Sequence, residues 1–124
     1  MVRVLRNRAR PAHKKLKRSE NVLYLVVLKE HPDVIKVGRT TKWASRRREY
    51  DNWNFARGDG VAESAVYFIT EEYVNLAMLE KACITGLAAQ FPVFNGNEWF
   101  KAPLREAQRV VEEVLELAGM TYAP

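Results

Sequence analysis

Two short stretches decide the fold: Asn21 to Lys29, with the sequence NVLYLVVLK, and Val34 to Gly38, with the sequence VIKVG. Both are short and rich in Val, Leu and Ile, which is typical of β-strands, and the first is apolar enough to be buried on both faces. Between them, Glu30 to Asp33 contains a proline and an aspartate, which favour a turn. The sequence therefore predicts an antiparallel hairpin that ends at Gly38.

The rest of the chain predicts helices on both sides of a third strand. Helices are expected over about 42–51, after a Thr40 or Thr41 cap, over 70–91, capped by Thr70, and from Pro103 to about 118, ended by Gly119. The third strand lies within 61–69, and 92–100 is a turn or a short strand. The predicted fold class is α+β: a small three-stranded antiparallel sheet flanked by helices, in the order β-β-α-β-α-short strand or turn-α.

Length and composition restrict the class of protein. The 124 residues suit a single domain, expected over 20–124. The longest apolar run, Val22 to Leu28, has seven residues, whereas a membrane span needs roughly 20. Cys83 is the single cysteine, so neither an internal disulfide nor a Cys/His zinc cluster with His13 and His31 can form. We expect a cytoplasmic protein with no secretory signal, no membrane partner and no small-molecule cofactor.

Charge is concentrated at the N-terminus. Residues 1–19 hold eight of the 20 basic side chains and no acidic one, so the 12 basic and 15 acidic residues of 20–124 give that part a formal charge of −3. Such a block repels itself and has little to bury, which predicts a flexible arm that binds nucleic acid phosphates. Its candidate contacts are Lys14, Lys15, Lys17 and Arg18. A solubilising leader or a remnant of cloning is the alternative, and RNA and DNA are not distinguished.

Glu80 is the most informative single residue. Helical spacing places it in the middle of an apolar stripe formed by Tyr73, Leu76, Ile84, Leu87 and Phe91. A buried carboxylate must be protonated, paired with a cation or bound to a metal. Two alternatives remain open: an internal salt bridge with an arginine, or a stripe whose centre faces solvent.

Arginines on the short helix and a glycine at the end of the hairpin form two further candidates. Arg46 and Arg47 flank the stripe of Trp43 and Tyr50, so at least one is expected to be partly buried, where a guanidinium can hold a phosphate. The alternative is a solvated basic helix face. Gly38, followed by Arg39, permits close approach of the backbone to a phosphate, unless it is only a turn glycine beside a core tyrosine.

In order and spacing, the motifs resemble the GIY-YIG nuclease superfamily, and specifically its short phage and bacterial branch. Val22-Leu23-Tyr24 stands at the Gly-Ile-Tyr motif and Lys36-Val37-Gly38 at the Tyr-Ile-Gly motif, where that branch commonly has a lysine. Leu79-Glu80-Lys81-Ala82 and Asn97-Glu98-Trp99-Phe100 are similar to its later motifs, and the resemblance covers about 21–115. The first motif lacks its glycine, and Ile84 stands where the branch often has a histidine.

The resemblance implies a DNA endonuclease that hydrolyses phosphodiester bonds. Tyr24 would be the general base or part of a base relay, Arg46 would stabilise charge on the phosphate, and Lys36 would lower the tyrosine pKa or contact phosphate. Glu80 would hold one divalent cation, expected to be Mg²⁺ with Mn²⁺ as a substitute, because hard cations prefer carboxylate oxygen and water. Asn95 and Asn97 would supply polar groups near the metal. Candidate DNA contacts are Gly38, Arg39 and Arg47, together with the basic arm.

Other functions remain open from the sequence. A catalytically inactive relative that binds DNA or another partner would retain the fold and the arm but not cut. A basic ribosome-associated protein would account for the arm, yet would leave Glu80 on an apolar face unexplained. The sequence does not distinguish a monomer from a homodimer: a single active site cuts one strand, so a double-strand break would need a dimer or sequential nicks.

Overall fold

A computed structural model describes residues 21–53, 60–71 and 73–123, which form six β-strands and three α-helices. The predicted arm, with Lys14, Lys15, Lys17 and Arg18, lies outside the described residues, as does most of the loop expected at 52–60. The strands are β1 (Val22–Leu28), β2 (His31–Thr40), β3 (Val61–Ile69), β4 (Val93–Asn95), β5 (Trp99–Lys101) and β6 (Tyr122–Ala123). The helices are α1 (Trp43–Trp53), α2 (Leu76–Gln90) and α3 (Leu104–Leu117).

All the strands join one antiparallel sheet in the order β4-β5-β2-β1-β3-β6. The architecture is α+β, but the predicted three-stranded sheet is wrong. Strands β4, β5 and β6 have only three, three and two residues, too few to show the alternation of apolar and polar residues by which a strand is recognised. The central strand β1 is the one with the most apolar sequence, and all seven of its residues are buried.

The two faces of the sheet carry different layers. Leu23 and Leu25 of β1 pack with the buried sides of α2 and α3 in the larger apolar cluster. Val22, Tyr24 and Val26, which alternate with them, pack with Tyr50 of α1 on the other face. The period-two geometry of a strand thus places Tyr24 on the α1 face.

Two predicted boundaries are corrected. The hairpin turn is at Lys29 and Glu30, with β2 already begun at His31. Helix α2 begins at Leu76 rather than after Thr70, and its N-cap is Asn75, whose side chain accepts a hydrogen bond from the Met78 amide. Glu71 is fully buried, and its carboxylate accepts hydrogen bonds from the Thr121 amide near β6. This tertiary contact takes Glu71 out of the helix that its local sequence favours.

The last helix agrees with its prediction. Its buried residues Ala107, Val111 and Leu115 follow the helical period, and Gly119 beyond its end has a φ of +73°. Within the part of the chain that the structure describes, no helix is long and apolar enough to cross a membrane.

Candidate active site

Tyr24 forms the centre of a hydrogen-bonded cluster between β1 and α1. Its hydroxyl lies 2.8 Å from the hydroxyl of Tyr50 and accepts a hydrogen bond of 3.1 Å from Nη1 of Arg46. The Trp43 ring packs on the phenol, with centroids 4.9 Å apart. Arg46 and Tyr50 share a side of α1 because they are four residues apart. Tyr24 itself is fully buried, so Arg46 and Tyr50 stand between its hydroxyl and solvent.

The electrostatics of this cluster keep the phenol protonated near neutral pH. Burial, and then the contact with Tyr50, raise the pKa of Tyr24 well above its ordinary value of 10.0, while the charges of Lys36 and Arg46 act to lower it. Burial also raises the pKa of Tyr50, against the opposing influence of its hydrogen bond with Tyr24 and of the Arg46 charge. The two cations are therefore the groups that would stabilise a phenolate here.

A polar cleft of about 230 Å³ opens beside this cluster. It is lined by Lys36, Gly38, Arg39, Arg46, Glu80 and Glu98. A second opening of about 260 Å³, lined by Lys36, Arg46, Glu49 and Tyr50, shares Lys36 and Arg46 with it. Arg46 therefore contacts the buried Tyr24 hydroxyl on one side and borders both openings on the other.

Both carboxylates of the polar cleft are paired with cations. Nε of Arg39 lies 3.1 Å from Oε1 of Glu80, and Nζ of Lys36 lies 2.9 Å from Oε1 of Glu98. Glu80 is at the edge of the buried side of α2, which is formed by Leu79, Cys83 and Leu87. Its side chain is 14% exposed. Glu80 was expected at the centre of a buried stripe, but it lies at the edge of the buried side of α2. Its salt bridge with Arg39 borders the open cleft.

The chemistry of the cleft fits a hydrated divalent cation rather than a cage of protein ligands. Among the described residues, there is no group of three or more His, Cys, Asp and Glu side chains suited to a metal. Glu80 and Glu98 nevertheless line one cleft, and Mg²⁺ needs few protein ligands because it retains several waters and takes others from phosphate. A cation at Glu80 would have to compete with the Arg39 guanidinium.

The structure brings Lys36, Gly38, Arg39, Arg46 and Glu80 together, as their predicted roles require, with Tyr24 just behind them. Other predicted residues lie elsewhere. Asn95 ends β4 and Asn97 follows it in the turn; both are exposed, and neither is among the described residues that line the two openings. Arg47 is exposed on α1 with its Nε 3.9 Å from Oδ2 of Asp51, whereas Arg46 is the half-buried arginine of the pair.

Two residues, Tyr50 of the cluster and Glu98 of the polar cleft, were not proposed as site residues from the sequence. Tyr50 had a signal, since helical spacing places it beside Trp43 and Arg46, but spacing alone does not show that its hydroxyl meets Tyr24. Glu98 lies in a segment with no regular period before β5. It reaches Lys36 because β5 pairs with β2, where Lys36 is opposite Trp99.

Comparisons with known proteins bear on the same region. No curated protein and no solved structure matches the sequence. A family model described as the T5orf172 domain matches residues 21–115. That range extends from the start of β1 into α3 and includes every residue of the polar cleft. The chain therefore belongs to the T5orf172 domain family.

Proposed function

We propose that this protein is a metal-dependent endonuclease that hydrolyses DNA phosphodiester bonds in the manner of the GIY-YIG superfamily. The observation that carries the proposal is the position of Arg46, which donates a hydrogen bond to Tyr24 and lines the same cleft as Lys36 and Glu80. The T5orf172 domain occurs in some endonuclease-like proteins, which is compatible with this assignment.

The cations of the polar cleft supply the phosphate-binding groups. Lys36, Arg39 and Arg46 border one concavity, and an Arg guanidinium can donate two parallel hydrogen bonds to phosphate oxygens. When Arg46 turns towards a phosphate, its hydrogen bond to Tyr24 is released and the phenol oxygen becomes accessible from the cleft. Phosphate binding and exposure of the base are then one event.

Tyr24 acts as the base, and Tyr50 provides the route for its proton. The two hydroxyls are 2.8 Å apart, so Tyr24 can pass its proton to the Tyr50 oxygen, and Tyr50 lines the opening through which a proton can leave to solvent. The phenolate, stabilised by the nearby positive charges of Lys36 and Arg46, takes a proton from a water molecule whose oxygen attacks phosphorus. The bond from phosphorus to the leaving oxygen breaks, and one strand is cut.

Glu80 would hold the divalent cation, with Glu98 on the same cleft wall. When bound, Mg²⁺ supplies positive charge that offsets the negative charge developing on the leaving oxygen. Glu80 has to exchange its ion pair with Arg39 for this role, and the released guanidinium is then available to a phosphate. Glu80 would then be paired with the metal and Arg39 with a phosphate, so neither charge is left unpaired when metal and DNA bind together.

The test is nicking of supercoiled plasmid by purified protein in Mg²⁺ or Mn²⁺. Glu80→Gln should abolish nicking while the thermal unfolding curve remains that of a folded protein. Glu113→Gln is the matched control, because Glu113 is an exposed carboxylate on α3, outside the polar cleft; it should nick like the parent. Equal nicking by Glu80→Gln and the parent would contradict the proposal.

A non-cleaving DNA-binding protein is the second candidate, favoured by the pairing of both cleft carboxylates with cations and by the burial of Tyr24. In that case, the ion pairs with Glu80 and Glu98 hold Arg39 and Lys36 in place for binding DNA, and no metal is needed. Retention of plasmid and branched DNA on a filter, without nicks in either metal, would select this candidate over the endonuclease.

A further inference from the structure

A separate cleft, of about 530 Å³, lies on the opposite face of the sheet from Tyr24. We call it the acidic cleft; it is formed by β3, β6 and α3 and lined by Ser64, Ala65, Val66, Tyr67, Gln108, Glu112 and Tyr122. Tyr67 pairs across β1 with Leu23, which belongs to the α2 and α3 side of the sheet. The acidic cleft therefore shares no wall with the polar cleft, and the proposed nuclease chemistry does not use it.

The walls of the acidic cleft combine two tyrosines with the carboxylate of Glu112. The rings of Tyr67 and Tyr122 meet edge to face, with centroids 5.1 Å apart and planes at 82°. The Tyr67 hydroxyl donates a 2.7 Å hydrogen bond to Oε2 of Glu112. Glu112 and Glu116 follow one another by one helical turn on α3, and their charges add to the effect of burial in raising the pKa of Tyr122.

Glu112 and Glu116 take part in none of the ion pairs found within residues 21–53, 60–71 and 73–123. Tyr67 is buried, so the ring that borders the open part of the cleft is that of the partly exposed Tyr122. A ring face and a carboxylate around one concavity form the kind of site that receives an ammonium or guanidinium group, because a cation is attracted both to the charge and to the aromatic face.

Asn21, the first residue that the structure describes, lies close to this cleft. The Asn21 carbonyl accepts a hydrogen bond from the Ile69 amide, and Ile69 is in turn paired with Tyr122. Asn21 and Tyr122 are therefore about two strand spacings, roughly 10 Å, apart. Lys17 precedes Asn21 by four residues, a distance that an extended chain covers with up to about 14 Å. Residues 14–18 carry four basic side chains and residues 1–19 no acidic one.

We propose that the acidic cleft binds the basic segment 14–18 of the same chain, with a lysine or arginine side chain placed against Tyr122 and Glu112. The segment is positively charged and the cleft negatively charged, and the two are close along the sheet. These three features point to this occupant. Docking itself is independent of whether the protein cleaves DNA. One consequence rests on the proposed function: a docked segment is withheld from DNA until phosphates compete for it.

Paramagnetic broadening in the full-length chain tests the docking. A nitroxide attached through Ala12→Cys reports where the segment lies, and Cys83 does not compete for the label because it is buried and burial raises its pKa to about 12. We expect the amide signals of Tyr67 and Tyr122 to broaden more strongly than those of Arg39 and Glu80. Dilution with unlabelled chain should leave the broadening unchanged, because the contact is within one molecule.

Matched variants separate docking from simple proximity. Glu112→Gln retains an acceptor for the Tyr67 hydroxyl but removes the charge, and should reduce the broadening about two- to fivefold. Glu113→Gln removes the same charge from an exposed position on the same helix and should not reduce it. Gln108→Lys places a cation in the cleft and should displace the segment as well. About 1 M salt shortens the screening length to roughly 3 Å. The amide signals of Tyr67 and Tyr122 should then broaden no more than those of Arg39 and Glu80.

Three results would overturn the proposal. One is broadening spread evenly over both faces of the sheet, and another is equal broadening in the parent and in Glu112→Gln when the remaining amide signals show both to be folded. The third is broadening that disappears on dilution with unlabelled chain, which would assign the cleft to a segment of a second copy.

Discussion

The phenol ring of Tyr24 lies directly on Gly38, its antiparallel partner across β1 and β2, and fills the space that a β-carbon at residue 38 would need. Gly38 thus has a packing role against a core tyrosine: its missing side chain allows the Tyr24 hydroxyl to reach Arg46 and Tyr50. The close approach expected at this glycine is made by a side chain of the protein itself.

Gly38→Ala should therefore impair the site by moving Tyr24. The added methyl group overlaps the ring and its hydroxyl, and overpacking of this kind costs roughly 1–3 kcal/mol of unfolding free energy. We expect a lower urea midpoint together with a loss of plasmid nicking, because the Tyr24 hydroxyl no longer meets Arg46. Urea denaturation and the nicking assay measure the two effects.

A double-mutant cycle identifies the cause. In a Tyr24→Ala background the ring is absent, so Gly38→Ala should destabilise the protein much less than it does in the parent. An equal loss of unfolding free energy in both backgrounds would show that the methyl group acts on the backbone and not on Tyr24.

Tyr50→Phe should slow nicking while leaving the fold intact. The change removes only the hydroxyl that meets Tyr24, and the loss of one hydrogen bond of about 1 kcal/mol corresponds to roughly a five- to tenfold slower rate. Single-turnover nicking measures it. Tyr73→Phe, which removes a hydroxyl from an exposed position, serves as the control. A parental rate for Tyr50→Phe would exclude Tyr50 from the proton route.

The parts of the fold that sequence predicts are those with strong local patterns. The apolar run of β1 and the helical period of Ala107, Val111 and Leu115 are sufficient to locate their elements. The sheet edges are not predictable in this way, because β4, β5 and β6 exist through pairing with distant strands. Glu71 shows the same limit: its local sequence favours a helix, but hydrogen bonds to Thr121, fifty residues away, determine its conformation.

The candidate site was predictable in its residue types but not in its connections. The order of motifs indicated Tyr24, Arg46 and Glu80, and helical spacing indicated an arginine beside an aromatic stripe. Which cation pairs with which carboxylate depends on tertiary distances, so the Arg39–Glu80 and Lys36–Glu98 pairs required coordinates. The hydrogen bond between the hydroxyls of Tyr24 and Tyr50 likewise required coordinates.

Arg39→Gln should separate the metal site from the DNA site. Because Arg39 occupies Oε1 of Glu80, its removal should lower the Mn²⁺ concentration at which nicking is half-maximal, by roughly two- to fivefold for an exposed ion pair. DNA affinity should fall at the same time, since one phosphate contact is lost. Metal titration of nicking and filter binding measure these effects, with Arg105→Gln on exposed α3 surface as the control. An unchanged or higher metal requirement would mean that Arg39 does not compete for Glu80.

The unfolding free energy should fall in alkaline solution. Burial raises the pKa of Tyr24, Tyr50 and Tyr67 above 10.0, and raises that of Cys83 from 9.0 to about 12. The folded chain therefore keeps protons that the unfolded chain releases. Stability should be constant below about pH 8 and then decline, by up to about 1.4 kcal/mol per pH unit for each released proton.

Urea denaturation between pH 8 and 11 measures this decline. Tyr67→Phe removes one of the four groups, at a position outside the polar cleft, and should make the decline shallower by about one proton. A flat profile for the parent would show that these groups titrate in the folded state as they do in the unfolded chain.

Neutralising the basic segment should weaken DNA binding in a salt-dependent way. Changing Lys14, Lys15, Lys17 and Arg18 together to Gln removes up to four phosphate contacts, so the slope of log affinity against log salt should fall by about three to four units. Arg105→Gln with Arg109→Gln removes basic charge from α3 and should leave the slope nearly unchanged. Filter binding at several salt concentrations measures both. If the slope of the neutralised segment equals that of the parent, the segment does not contact phosphate in the complex, and the polar cleft alone accounts for DNA binding.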